Sequence, residues 1–285
     1  MRIAHAMHTN DSSYIPTAKY PAVHTAALQA CDANDGVKDG VIEDPTRCKF
    51  DPTVLLCKGA DAATCLTAPQ VEAAKQIYSA ATDSRTGREI FPGLEPGSEL
   101  GWSTWGGAQP FSIGVEHFRY VVFKDPTWDF RNLRIDTDLA LAEQVDKGLI
   151  NSLDPNLNAF FARGGKIVQY HGWIDPQIAP RASVRYYEDV LKTMGGAGRV
   201  QDSYRLFMVP GMAHCGGGEG PNSFNMLGAI EAWVEHRQAP DRIVASRLTN
   251  GAVTRTRPLC PYPQIAKYKG SGSTDEAASF ACERP

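Results

Sequence analysis

An aspartate and a histidine, each following an apolar run, are the residues of this chain best suited by type and spacing to acid–base chemistry. Lys166-Ile167-Val168-Gln169-Tyr170 leads into His171-Gly172-Trp173-Ile174-Asp175-Pro176, and the run at 204–209 leads into Pro210-Gly211-Met212-Ala213-His214-Cys215. Gly172 permits dihedrals closed to other residues, and Pro176 keeps the chain from continuing as a strand. A carboxylate that accepts the Nδ1 proton fixes the imidazole tautomer, leaving Nε2 to take a proton from an attacking hydroxyl. Acid before histidine, each at the C-terminal end of a strand, is the order of a serine-hydrolase triad in which the nucleophile comes first. An isolated Asp there caps a helix and an isolated His is a loop residue; the matched strand ends favour Asp175 and His214 as a catalytic pair.

The nucleophile of such a triad is absent. Gly101-Trp102-Ser103-Thr104-Trp105 is the nearest string, but a tight elbow needs a small residue where Trp105 stands, and no strand precedes it. Ser103 therefore reads as an exposed surface serine. Cys215 adjoins His214 and cannot easily turn its sulfur onto the same ring.

The elements around the pair follow the grammar of a parallel sheet. The periodicity predicts an amphipathic helix over 136–148, a strand over 166–170, a helix over 182–193, a strand over 204–209 and a helix over 222–237. Extended runs at 242–248 and 252–257 flank Asn250-Gly251, a hairpin turn signal. Strand, helix, strand, helix predicts an α/β fold with right-handed crossovers. Upstream the pattern is weak: 22–30 could form two helical turns, 68–81 carries Pro69 in its first turn and reads as a helix, and most of 31–126 reads as irregular. The chain divides accordingly into an opening segment 1–30, an irregular domain 31–135 and a regular part 136–285.

The 285 residues, 42% hydrophobic and 21% charged, suffice for a soluble core. A formal net charge of −3 without a basic patch argues against nucleic acid as a partner, and no stretch approaches the ~18 apolar residues of a membrane span. The opening Met1-Arg2-Ile3-Ala4-His5-Ala6-Met7 is too short and polar for a signal peptide. The cysteines point elsewhere. Cys31, Cys48, Cys57 and Cys65 lie in loop-rich sequence and Cys260 and Cys282 bracket a Pro/Gly/Ser-rich tail, so the six read as disulfide-bonded rather than buried thiols, and the compartment as oxidising. Cys215 is left over, which implies a partner outside the chain.

Asp32, Asp35 and Asp39, interleaved with Gly36 and Gly40, can fold their oxygens around a hard cation. The spacing is not that of an EF-hand, although Glu43 stands twelfth from Asp32, and a bare cluster of this kind also suits a solvated turn.

Ser13-Tyr14-Ile15-Pro16, the string from Cys31 to Ile42, Cys48-Lys49-Phe50-Asp51-Pro52, Gly97-Ser98-Glu99-Leu100-Gly101-Trp102, Tyr170 to Pro176 and Pro210 to Cys215 together resemble the tannase and feruloyl esterase family, which includes esterases of mono(hydroxyethyl) terephthalate. The resemblance runs in order from about Ser13 to the C-terminus. It implies an α/β-hydrolase core, here its C-terminal part, with a large irregular lid stabilised by disulfides and calcium. It puts Asp175 and His214 at the positions of the catalytic acid and base. It implies a structural calcium held by Asp32, Asp35 and Asp39 and by the carbonyls of Val37 and Val41. The family's nucleophile lies in an upstream Gly-Cys-Ser-x-Gly-Gly elbow, and the cysteine beside it bonds to the cysteine after the histidine, which would account for Cys215. The oxyanion donors also come from upstream sequence.

The expected substrate is an aromatic-acid ester and the expected location secreted or periplasmic. Trp102, Trp105, Phe111, Phe118, Tyr120 and Phe123 form an aromatic stretch suited to a phenolic acid, though most of it should be packing. Three readings remain: the lid and catalytic half of an esterase, inactive alone; a calcium-dependent, non-catalytic binding module; or one half of a split esterase whose partner chain supplies the serine. With only two or three core strands, such a piece should expose a strand edge and seek a partner.

Overall fold

A computed structural model describes residues 1–84 and 86–285. The longer helices are α1 (Arg2–His8), α2 (Tyr20–Cys31), α3 (Ala68–Tyr78), α4 (Ile135–Asp146), α5 (Arg181–Met194) and α6 (Met226–His236). The strands are β1 (Ala81–Thr82), β2 (Glu89–Phe91), β3 (Ile167–Gly172), β4 (Tyr204–Val209), β5 (Ile243–Thr249), β6 (Ala252–Leu259), β7 (Ile265–Tyr268) and β8 (Phe280–Glu283). Short helical turns fill much of the remainder. The chain packs as two compact units whose limits differ from a division at 30 and 135: Met1–Ala27, Phe50–Leu153 and Pro176–Ala179 form one, and Leu28–Lys49, Asp154–Asp175 and Pro180–Pro285 the other. Sequence composition follows regularity, whereas compactness follows contacts, and the Asp-rich loop packs with the later part of the chain.

The first unit is helical. Val71, Ala74 and Ile77 recur along one face of α3 and meet Met7 of α1, with Tyr20, Val23 and Trp102, in one buried cluster. The Gln70 side chain accepts from the Thr67 N–H at 3.0 Å, satisfying an amide at the helix start. The helix stops at Tyr78, short of residue 81, because Ala81 and Thr82 pair instead with β2. Glu99 is fully buried, its carboxylate accepting from Tyr78 Oη at 2.6 Å and from Gly97 N at 2.8 Å and facing His24 Nδ1 at 2.8 Å. The Cys57–Cys65 disulfide closes a short loop in this unit. Trp102 is wholly buried, and Phe118 and Phe123 pack with Trp128, so much of the aromatic stretch is structural; Tyr120 is exposed.

The second unit is built on the parallel pair β3–β4, in register from Ile167 opposite Tyr204 to Gly172 opposite Val209, with α5 as the crossover. The two-residue period of β4 divides its side chains between two cores. Leu206 and Met208 join Val184, Tyr187, Val190 and Met194 of α5, whereas Phe207 and Val209 join Ile243, Ala245 and Leu259 of β5 and β6. Ile167, Gln169 and His171 lie on the α5 side of β3 by the same alternation. Strands β5 and β6 form an antiparallel hairpin through Asn250 and Gly251, both at positive φ, as the type I′ signal predicts. Helix α6 begins at Met226 rather than 222 because Asn222 and Ser223 are held by backbone bonds to Ser246. Among the named strands β3 pairs with β4 alone.

Two further disulfides, Cys31–Cys48 and Cys260–Cys282, tie this unit, so all six expected cysteines are paired and Cys215 is free and exposed. Among the described residues no helix is long and apolar enough to cross a membrane.

Candidate active site

The site begins where β3 ends. The Trp173 N–H donates to the Val209 carbonyl at 2.9 Å and the Ile174 N–H to the Met212 carbonyl at 3.1 Å, so the turn carrying Asp175 is laced to the loop carrying His214. This approach requires Gly172: a Cβ there would lie 2.1 Å from the Met212 carbonyl oxygen and 2.6 Å from that of Ala213. Gly218 does the same on the other side, where a Cβ would lie 2.2 Å from the Gly211 carbonyl oxygen.

Asp175 and His214 are thereby brought together. His214 Nδ1 stands 2.8 Å from Asp175 Oδ2, the carboxylate almost wholly buried and the imidazole about one-third exposed. Because an ionised carboxylate only accepts, Nδ1 carries the proton, and in the neutral ring Nε2 presents its lone pair. No hydrogen bond to Nε2 is made among the described residues. This is the geometry of a general base with its orienting acid, open on the side a reacting hydroxyl would occupy.

A second histidine shares the carboxylate. His171 Nε2 lies 3.0 Å from the same Asp175 Oδ2, and His171 Nδ1 lies 2.8 Å from Ser183 Oγ in the first turn of α5. The Gln169 amide donates to Ser183 Oγ at 3.0 Å, and Tyr204 Oη donates to Gln169 Oε1. The sequence reading gave these four residues no role. Their signal was alternation: Gln169 and His171 place two polar side chains on one face of an apolar strand.

The Asp-rich loop lies in the same unit. Asp32 accepts from the N–H groups of Asp39 and Gly40, Asp35 from that of Val37, and Asp39 from that of Val41. Burial raises the Asp35 carboxyl to about 6 and that of Glu43 to about 8, with the neighbouring carboxylates adding to the effect. Arg257 and Arg255 both reach Asp39 Oδ2, and Arg257 also lies over the Phe280 ring. The carboxylates and carbonyls of this loop are oxygen donors of the kind a hard cation takes. Among the described residues, the trio whose donor atoms gather within 4.8 Å is instead Cys57, Asp61 and Cys65, whose sulfurs are joined to each other and cannot serve as thiolate ligands.

Ser103 opens the short turn Ser103–Gly106 in the first unit, with a 3₁₀ turn and no strand before it. That unit also contains an apolar cavity of about 460 Å³, lined by Phe91, Trp105, Ile113, Phe118, Leu139 and Ile178 among others.

Asp175 and His214 thus form a close carboxylate–imidazole pair in the turns that follow two parallel strands bridged by a helix. The family model for "Tannase and feruloyl esterase" matches residues 1–283, and the chain belongs to that family. An uncharacterized esterase of Xanthomonas campestris pv. campestris is 38% identical over 325 residues, covering 97% of this chain and 56% of the relative. A probable feruloyl esterase B-1 of Aspergillus oryzae is 36% identical over 296 residues, covering 96% and 54%. The crystal structure of feruloyl esterase B from Aspergillus oryzae superposes with a TM-score of 0.92 at 31% identity, covering 99% of this chain and 60% of that one. Tannin acyl hydrolase from Aspergillus niger, at 22% identity and a TM-score of 0.80, shares the fold. The chain thus spans about half the length of the curated relatives it matches.

Proposed function

We propose that this chain supplies the acid and base of a carboxylic ester hydrolase acting on aromatic, phenolic-acid esters. The carrying observation is the 2.8 Å contact between His214 Nδ1 and Asp175 Oδ2, with Nε2 open. Nε2 takes the proton of an attacking serine hydroxyl and returns it to the leaving alcohol, while Asp175 stays ionised and stabilises the imidazolium between the two steps. The serine and the oxyanion donors come from sequence outside these 285 residues, as the half-length match to the relatives leads one to expect. In this reading Cys215, exposed and outside the three disulfides, bonds with a cysteine next to that serine. On the same reading the first unit carries most of the lid, and the second carries the α/β-hydrolase core together with the lid's Asp-rich loop. Calcium, held by Asp32, Asp35, Asp39 and the carbonyls of Val37 and Val41, neutralises the acidic loop and supplies no chemistry. Three disulfides fit an oxidising, extracellular or periplasmic setting.

The test is complementation. The chain alone should not hydrolyse methyl ferulate, and co-expression with the nucleophile-bearing N-terminal portion of a relative should restore turnover that His214→Ala abolishes. Turnover by the chain alone that survives His214→Ala would overturn the assignment. Calcium-dependent binding of a phenolic ester, with no turnover in either arrangement, would favour a non-catalytic module.

A further inference from the structure

Asp175 has two imidazoles on one oxygen, and only His214 is used by the acid–base mechanism. The role of the other can be read from the direction of its hydrogen bonds. At the far end, the phenol of Tyr204 donates to Gln169 Oε1, so the amide presents Nε2 to its next neighbour. That amide nitrogen can only donate, and it donates to Ser183 Oγ. The Ser183 hydroxyl proton is then directed at the other atom within reach, His171 Nδ1 at 2.8 Å. With Nδ1 accepting, the neutral ring carries its proton on Nε2, which faces the carboxylate at 3.0 Å. Every link satisfies donor and acceptor; run in the opposite sense, with the amide turned over, the relay would require His171 Nδ1–H to donate to Ser183 Oγ and therefore an imidazolium beside Asp175.

We infer that His171 is a positioning residue, held as the neutral Nε2–H tautomer by the relay Tyr204–Gln169–Ser183, which pins Asp175 Oδ2 without neutralising it. The charge state is the consequential part. An imidazolium at this position would cancel the charge of Asp175, and with it the attraction that favours a proton on His214. A neutral N–H donor fixes the oxygen in place and leaves the full negative charge to act on His214. The relay runs from β4 through β3 to the first turn of α5, so the His171 ring that faces the carboxylate is tied to three elements of the second unit. His171 is nearly buried and Asp175 more so, which keeps water from competing for these bonds.

The inference rests on reading Asp175 and His214 as acid and base, but its test needs no turnover. Two-bond ¹H–¹⁵N correlation spectra of the chain labelled at histidine nitrogen, at neutral pH, report the tautomer of each ring directly. The expected result is an unprotonated Nδ1 and protonated Nε2 for His171, and the opposite pattern for His214. Gln169→Glu turns the relay around: the Ser183 hydroxyl donates to the new carboxylate, and His171 should become protonated on both nitrogens. His171→Phe removes the pinning donor and should reduce the Nδ1–H signal of His214 and its protection from exchange, while His171→Gln, which keeps an N–H donor, should largely restore both. His171 found as the Nδ1–H tautomer or as imidazolium in the wild-type chain would overturn the inference. So would a Gln169→Glu chain, folded by circular dichroism, in which His171 stays neutral. A failure of complemented esterase activity, with these tautomers as expected, would count against the hydrolase reading and leave the relay standing.

Discussion

A Cβ on Gly172 would lie 2.1 Å from the carbonyl oxygen of Met212, so the strand carrying the acid and the loop carrying the histidine touch through bare backbone. The Ile174 N–H bond to the same carbonyl depends on that contact. Gly172→Ala should therefore force the loops apart, costing at least about 2 kcal/mol and separating His214 from Asp175. Urea denaturation gives the first quantity, and loss of the His214 Nδ1–H signal the second. A fully stable alanine variant with that signal intact would refute the claim.

Asp175→Asn should leave the backbone in place while removing the charge that orders His214. With the nucleophile-bearing segment present, kcat should fall about 10⁴-fold with little change in KM, because the wrong tautomer of the base disables proton transfer and not binding. A fall of less than tenfold in the complemented esterase would remove Asp175 from the acid's role.

Calcium should stabilise the second unit through the Asp32–Val41 loop. At a hundredfold excess over its Kd, the ion should add about 2.7 kcal/mol, seen as a higher Tm with calcium than with a chelator. Asp35→Asn should abolish the difference. Equal melting temperatures in calcium and chelator would remove calcium from the account.

Tyr78 predicts an alkaline limit in the first unit. Its hydroxyl is held well above its ordinary value of 10.0 by burial and by the charge of Glu99. A group raised on folding contributes its full stability below its unfolded value and loses it as pH rises beyond, so stability should decline above pH 10. Tyr78→Phe should cost about 1.5–3 kcal/mol at pH 8, the worth of a bond to a charged group, and cost less at pH 11. A pH-independent difference between the two proteins would contradict this.

The sequence by itself determined the β3–α5–β4 order, the Asn250-Gly251 hairpin, the six cysteines that pair and the placing of an aspartate and a histidine in the turns after two strands, because each is a local matter of period, turn chemistry or composition. The family's long motifs settled membership in the same way. Tertiary structure decided what no local pattern encodes. The Asp-rich loop packs with the strands of residues 154–285, since Arg255 and Arg257, more than 200 positions away, reach Asp39. Helix α6 starts late because Ser246 takes the backbone bonds of Asn222 and Ser223. His171, a polar residue with no readable role in its strand, meets Asp175 and Ser183 only when β3 lies against α5, because direction and partner of a hydrogen bond exist in three dimensions and not along the chain.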